Sequence, residues 1–267
     1  MDIDSYFVEC FIARAFFGIT LSGKTKEDIT DIFLKNIDLL YGKLLIFKSL
    51  SVHFETDTVT AVLGPSGCGK TSLLNLVSGS IQPDTGQVKI KDDKRISYIF
   101  QEPRLLPWKT VGENINFVLK HVFNKTEREK IINHYLSLVK MGDFKNFYPN
   151  ELSGGMKQRT SIVRAFAFPS DILLMDEPFQ ALDLDLKYSL IEVFRNLWNK
   201  DHRTTIFVTH NISEALLLGN RIIVMGNAPD GIRETFPNPL REKSRFPGSS
   251  ELLTLESELY QSYFYNR

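Results

Sequence analysis

The run Gly64-Pro65-Ser66-Gly67-Cys68-Gly69-Lys70-Thr71 constrains this chain more than any other feature. Its glycines let the backbone curl until successive N–H groups point at one place. The β-rich stretch 58–63 (TVTAVL) precedes it, and a helical run from Ser72 through residue 76 follows. Strand, glycine loop and helix in that order aim loop amides and the positive end of a helix dipole at an anion. The spacing GxxxxGK[ST] in that setting is the phosphate-binding pattern. Lys70 supplies a point charge for the β- and γ-phosphates of a nucleotide, and the Thr71 hydroxyl is placed to ligate Mg²⁺. A chain built around this loop needs an α/β fold.

The remaining pattern agrees. Stretches 96–100 (ISYIF), 171–175 (DILLM), 205–209 (TIFVT) and 221–225 (RIIVM) are short, β-rich and nearly continuous in hydrophobicity. Strands buried on both faces read this way, which predicts a parallel sheet covered by helices. Residues 32–40 and 44–54 read as antiparallel strands about a turn at Tyr41-Gly42. Helical spacing occupies 113–122 and 127–141, and no strand pattern interrupts 108–168, which predicts a helical insertion. Residues 228–248 hold four of the eleven prolines and read as an irregular connection. A last amphipathic helix follows through Leu252, Leu255, Leu259 and Tyr263.

At 267 residues the chain suffices for one full domain with a smaller companion. Lys and Arg total 32 against 32 Asp and Glu, so bulk electrostatic attachment to nucleic acid or anionic lipid is disfavoured. Two cysteines, Cys10 and Cys68, make no disulfide framework and suit a reducing cytosol. The most apolar early stretch, 6–21, is interrupted by Glu9 and Arg14 and is too short and charged to span a bilayer.

Further residues carry chemistry. The strand 172–176 ends in Asp176, with Glu177 next. Neighbouring side chains on a strand point apart, so Asp176 would hold Mg²⁺ through water while Glu177 polarises an attacking water. His210 ends the strand TIFVTH, at the carboxyl edge where open α/β sheets bind ligands. Gln101 follows ISYIF and reaches the same edge. Leu152-Ser153-Gly154-Gly155-Met156 opens a helix: Ser153 suits an N-cap, and two consecutive glycines before a helix suggest a second anion site.

Together these motifs resemble the nucleotide-binding subunit of an ABC transporter. The resemblance covers about residues 30–225. It implies a P-loop NTPase (RecA-like) core with a mostly parallel sheet, an antiparallel β subdomain and an inserted α-helical subdomain at about 108–168. Residues 1–29 would be an N-terminal extension, 30–227 the ATPase domain and 228–267 a short tail with a terminal helix. Gly64, Pro65, Ser66, Gly67, Cys68, Gly69, Lys70, Thr71 and Ser72 would bind nucleotide, with Tyr41 stacking on adenine. By the same resemblance Gln101 would be the Q-loop glutamine, a catalytic residue and a third Mg²⁺ ligand beside Thr71 and Asp176; Glu177 and His210 would also be catalytic. Leu152, Ser153, Gly154, Gly155 and Met156 form the signature, with Met156 where the family usually has Gln, and Asp183 marks the D-loop of Ala181-Leu182-Asp183.

One phosphate loop and one signature per chain imply a homodimer, because each ATP in this family lies between the loop of one subunit and the signature of another. The resemblance also implies an integral-membrane permease, indirectly an extracytoplasmic solute-binding protein, no nucleic acid, and a place at the cytoplasmic face of the cell membrane. The stretch Gln101-Glu-Pro-Arg-Leu-Leu-Pro-Trp108 is similar to importers of nitrate, sulfonate, taurine and thiamine-type pyrimidines. Leu105, Leu106, Pro107 and Trp108 fit either a groove for a permease helix or ordinary packing. The alternative function, a soluble ABC ATPase of translation or repair, usually carries two cassettes or a long coiled coil, and neither pattern is present. Cys68 is either a redox-sensitive thiol or a small residue that fits the loop. Phe7, Phe11, Ile12, Phe16 and Phe17 at helical spacing read as a surface helix or a docking helix.

Overall fold

In the computed structural model the described residues are 32–90, 94–180, 182–240 and 244–264. The 1–29 extension with its aromatic run and Cys10, and Ala181 of the D-loop, lie outside them.

Two sheets organise the chain. The larger has the order β5-β6-β7-β3-β8-β9, built from β3 (Val59–Leu63), β5 (Ile96–Ile99), β6 (Ile172–Asp176), β7 (Thr204–Thr209), β8 (Arg221–Met225) and β9 (Ile232–Pro237). Every neighbouring pair runs parallel except β8 and β9. Alternation explains the continuous hydrophobicity of the central strands. In β3, Val59, Ala61 and Leu63 enter one core while Val62 enters the other. In β7, Phe207 faces the first core, and Ile206 and Val208 face the second. Both faces are covered, so apolar residues occupy both phases of the period.

The second sheet, β2-β1-β4, is antiparallel: β1 (Ile32–Tyr41), β2 (Leu44–Phe54) and β4 (Thr85–Lys89). The β1–β2 hairpin closes with Tyr41 opposite Leu44, at the turn expected from sequence; Gly42 takes φ 62° there. Buried Leu34 and Ile37 are three apart, because Asn36 at φ 52° shifts the register by a bulge. The apolar face of this sheet packs with helix α1 (Lys70–Val77) against one side of the larger sheet. Fully buried Phe47 and Phe54 lie in that core, each worth roughly 1.5–3 kcal/mol relative to exposure.

Between β5 and β6 the chain is helical: α2 (Val111–Leu119), α3 (Lys125–Leu138) and α4 (Gly154–Ala167). Helical spacing in the sequence begins at Glu113 and Glu127. Both are the third residues of capping boxes, paired with Thr110 and Asn124, so each helix starts two residues earlier. Helices α5 (Leu184–Asp201), α6 (Ile212–Leu218) and α7 (Ser250–Phe264) complete the described chain. Leu252, Leu255 and Leu259 of α7 pack into the first core, as its spacing predicts.

Two strands depart from the sequence reading. Within 228–248, read as irregular, β9 pairs antiparallel with β8 at the sheet edge. An edge strand tolerates Pro237 at its end and needs little apolar signal. β4 is nearly all exposed, so its sequence TGQVK gives no alternation to read.

Candidate active site

The carboxyl ends of β3, β6 and β7 lie side by side, because Leu63 pairs with Thr209 and Asp176 with Val208. The loops after them therefore open at one edge of the sheet. Residues 64–69 form the first. Gly69 is the N-cap of α1 with φ 101°, and no side chain caps that helix. A Cβ on Gly69 would sit 2.6 Å from the Phe47 ring, so packing as well as conformation demands glycine. Gly67, at φ 79°, has no atom within 4 Å of where a Cβ would lie; its side of the loop is open. An uncapped helix start beside open space, flanked by a lysine, fits an anion.

Lys70 is buried. Its Nζ donates to the carbonyls of Gly64 (2.9 Å) and Pro65 (3.0 Å) and lies 3.3 Å from Glu177 Oε1. The other Glu177 oxygen meets His210 Nδ1 at 2.8 Å. Lys70 and His210, from two separate segments, thus converge on the one carboxylate of Glu177. Glu177 takes φ 43° and is anchored through its N–H to the Val208 carbonyl at 3.1 Å. A positive φ in a β-carbon-bearing residue costs about 1–3 kcal/mol, which the surrounding sheet must sustain.

Thr71 Oγ1 donates to Asp176 Oδ1 at 3.1 Å. Burial pushes the Asp176 carboxyl above its ordinary value, more than the Thr71 hydrogen bond lowers it. A hydroxyl and a carboxylate side by side are hard oxygen donors that suit Mg²⁺. Gln101 does not join them; its amide donates to Gln180, in the loop after Glu177. Ser72 Oγ and the Tyr41 hydroxyl are 3.4 Å apart, which sets the exposed Tyr41 ring beside the first turn of α1. The Cys68 thiol is buried against Gly64, and desolvation raises its pKa. It is packed inside the loop.

Ser153 is the N-cap of α4, and its Oγ accepts from Met156 N–H at 3.3 Å. Gly154 faces open space, whereas a Cβ on Gly155 would strike the Leu186 side chain at 2.4 Å. Leu152 is buried beneath them. Among the described residues no hydrogen bond joins residues 152–156 to residues 64–72. Asp183 N-caps α5, accepting from Leu186 N–H at 2.9 Å.

The ABC transporter family model matches residues 47–180. An aliphatic sulfonates import ATP-binding protein of Bacillus cereus is 36% identical over 230 residues, covering 84% of this chain and 90% of its own. A nitrate import ATP-binding protein of Synechococcus elongatus is 37% identical over 198 residues, covering 70% and 72%. Among solved structures, an ATP-binding cassette in a dimeric post-hydrolysis state with ADP and Pi matches at TM-score 0.68 and 29% identity. That match covers 79% of this chain and all of the cassette. The chain belongs to the ABC transporter family. It is an ATP-binding subunit and an ATPase.

The cassette holds polar links that its motifs alone did not disclose. Gln158, buried in α4, donates to the Pro178 carbonyl at 2.6 Å and so ties the helix after Ser153 to the turn after Glu177. Arg164, farther along α4, donates to the carbonyls of Pro103 and Arg104, both at 2.9 Å, and holds the chain after Gln101. Buried Asn114 ties Leu106, Lys109 and Thr110 together through its side-chain amide. Each is a polar residue on the apolar face of a helical pattern. That is the one signal a sequence offers for a buried, satisfied side chain.

Proposed function

We propose that this chain energises import of a small solute through a membrane permease by ATP-driven closure of a homodimer. The observation that carries the reading is the meeting of Lys70, Glu177 and His210 beside an uncapped helix start. Amides of the 64–72 loop and Lys70 hold the β- and γ-phosphates, which replace the loop carbonyls that Lys70 now grips. Tyr41 stacks on adenine. Thr71 and Asp176 would hold Mg²⁺, with Gln101, now bonded to Gln180, as a third candidate ligand. When bound, the ion would supply neutralisation of phosphate charge. Glu177 accepts a proton from the attacking water, and His210 orients Glu177 and the leaving phosphate's surroundings.

Ser153, Gly154 and Gly155 serve the ATP held by a second subunit, with Asp183 near the same interface. Within one chain the two half-sites share no hydrogen bond among the described residues, which suits a composite site. The solved cassette of similar fold is a dimer bound to ADP and Pi.

The permease face lies by the chain after Gln101. A groove of about 880 Å³ is lined there by Phe100, Arg104, Leu106, Phe117 and His121, among others. Trp108 is 69% exposed and Phe117 57%, so Trp108 is not spent on the core. An apolar groove with exposed aromatics suits a partner helix. Among the described residues no helix is long and apolar enough to cross a membrane. Membrane attachment therefore runs through the permease, with a solute-binding protein beyond it.

The relatives named above import aliphatic sulfonates and nitrate, and the solute belongs to that group of small organic or inorganic anions. Inactivating the gene and measuring growth on aliphatic sulfonates as sulfur source, or nitrate as nitrogen source, tests this. Loss of one uptake is expected. Unchanged uptake of all such solutes contradicts the assignment.

A further inference from the structure

A second polar cluster stands behind His210. Thr209, the last residue of β7, donates through Oγ1 to Glu214 Oε2 at 2.6 Å. The same hydroxyl accepts from Asn211 N–H at 3.0 Å, and Asn211 Oδ1 accepts from Glu214 N–H at 3.0 Å. The other Glu214 oxygen pairs with Lys187 Nζ of α5 at 2.8 Å. Glu214 is 3% exposed, so its charge is fully committed to these partners. Thr209 also receives the Gly64 N–H on its carbonyl at 3.2 Å. One residue therefore connects the phosphate loop, the His210 turn and the pair that reaches α5. Lys187 in turn lies one helical turn from Asp183, donating its N–H to the Asp183 carbonyl at 2.9 Å.

A buried ion pair is weak evidence for stability, because desolvation offsets much of its attraction. Its geometric value is larger: two elements held by it move together. The N-cap of α6 and the backbone on both sides of His210 are bound to this cluster, while His210 itself is about half exposed and touches Glu177. Where the His210 backbone is held decides whether its ring can reach the Glu177 carboxylate. We propose that Glu214 and Lys187 are positioning residues for hydrolysis, setting the His210 turn against Glu177 and linking it to the start of α5. The inference rests on the role of His210 given above. It adds a route by which displacement of α5 at Asp183 alters hydrolysis within the same chain.

Steady-state ATPase of the full chain tests it. Lys187→Met and Glu214→Gln are expected to lower kcat by on the order of tenfold to a hundredfold, with KM for ATP changed by about twofold or less. Lys187→Arg should restore most of the turnover, since it keeps the charge and reach. In a His210→Ala background, read by slow single-turnover phosphate release, adding Lys187→Met should change the rate by about twofold or less. Unchanged kcat in Lys187→Met, or the same proportional loss with and without His210, would overturn the inference. Should Glu214→Gln fail to fold, Lys187→Met carries the test, its side chain being 16% exposed. Full turnover in His210→Ala alone would instead remove the role assigned to His210, and this inference with it.

Discussion

Asp176 shows how one residue trades stability against chemistry. Burial raises its carboxyl pKa. The folded chain therefore binds this proton more tightly than the unfolded chain. From the ordinary carboxylate pKa upward, folding loses stability with rising pH until the folded carboxyl has ionised. Asp176→Asn removes that cost. At pH 7, calorimetry of the nucleotide-free protein should find its Tm raised, with hydrolysis lost. An unchanged or lower Tm would mean the carboxylate is not strained. Cys68 gives a second residue-scale expectation. Its buried, raised thiol should resist iodoacetamide at pH 7 in the folded chain and react only on unfolding. Lys70→Ala should weaken ATP binding by roughly tenfold to a hundredfold, the worth of a charge-assisted contact, as calorimetric titration would measure. At this scale the sequence was most informative. Gly67 and Gly69 need positive φ and Lys70 must reach the loop, so their types are dictated by local geometry. The Gln101 to Gln180 hydrogen bond was not legible, because it depends on how two separate loops meet.

Among the elements, the doubly buried strands were legible from hydrophobicity alone, since β3, β6, β7 and β8 face a core on each side. The exposed strand β4 and the edge strand β9 were not, because neither needs an apolar face. Long-range polar links were hidden for a related reason: Gln158 and Pro178 are twenty positions apart in sequence, and nothing local marks their contact. Gln158→Ala would leave a buried carbonyl unpaired, at a cost of about 1–3 kcal/mol. Chemical denaturation should show that loss, and turnover should fall with it because the turn after Glu177 loses its brace. Retained turnover with full stability loss would confine Gln158 to a structural part.

For the whole molecule the decisive proposal is that the described cassette carries two half-sites. Residues 64–72 with Glu177 and His210 sit at the ends of β3, β6 and β7, whereas Ser153–Met156 form the cap and first turn of α4, with no hydrogen bond to them among the described residues. On the function proposed above, ATP binding energy would be realised as closure of two chains, and hydrolysis would release them. Ser153→Arg should leave ATP binding intact and abolish turnover, as phosphate release would report. Light scattering of Glu177→Gln with and without ATP and Mg²⁺ addresses the central claim most directly. The chain should pass from monomer to a long-lived dimer on adding ATP, and Ser153→Arg in the same background should prevent it. A Glu177→Gln chain that binds ATP yet stays monomeric at every concentration would contradict the account.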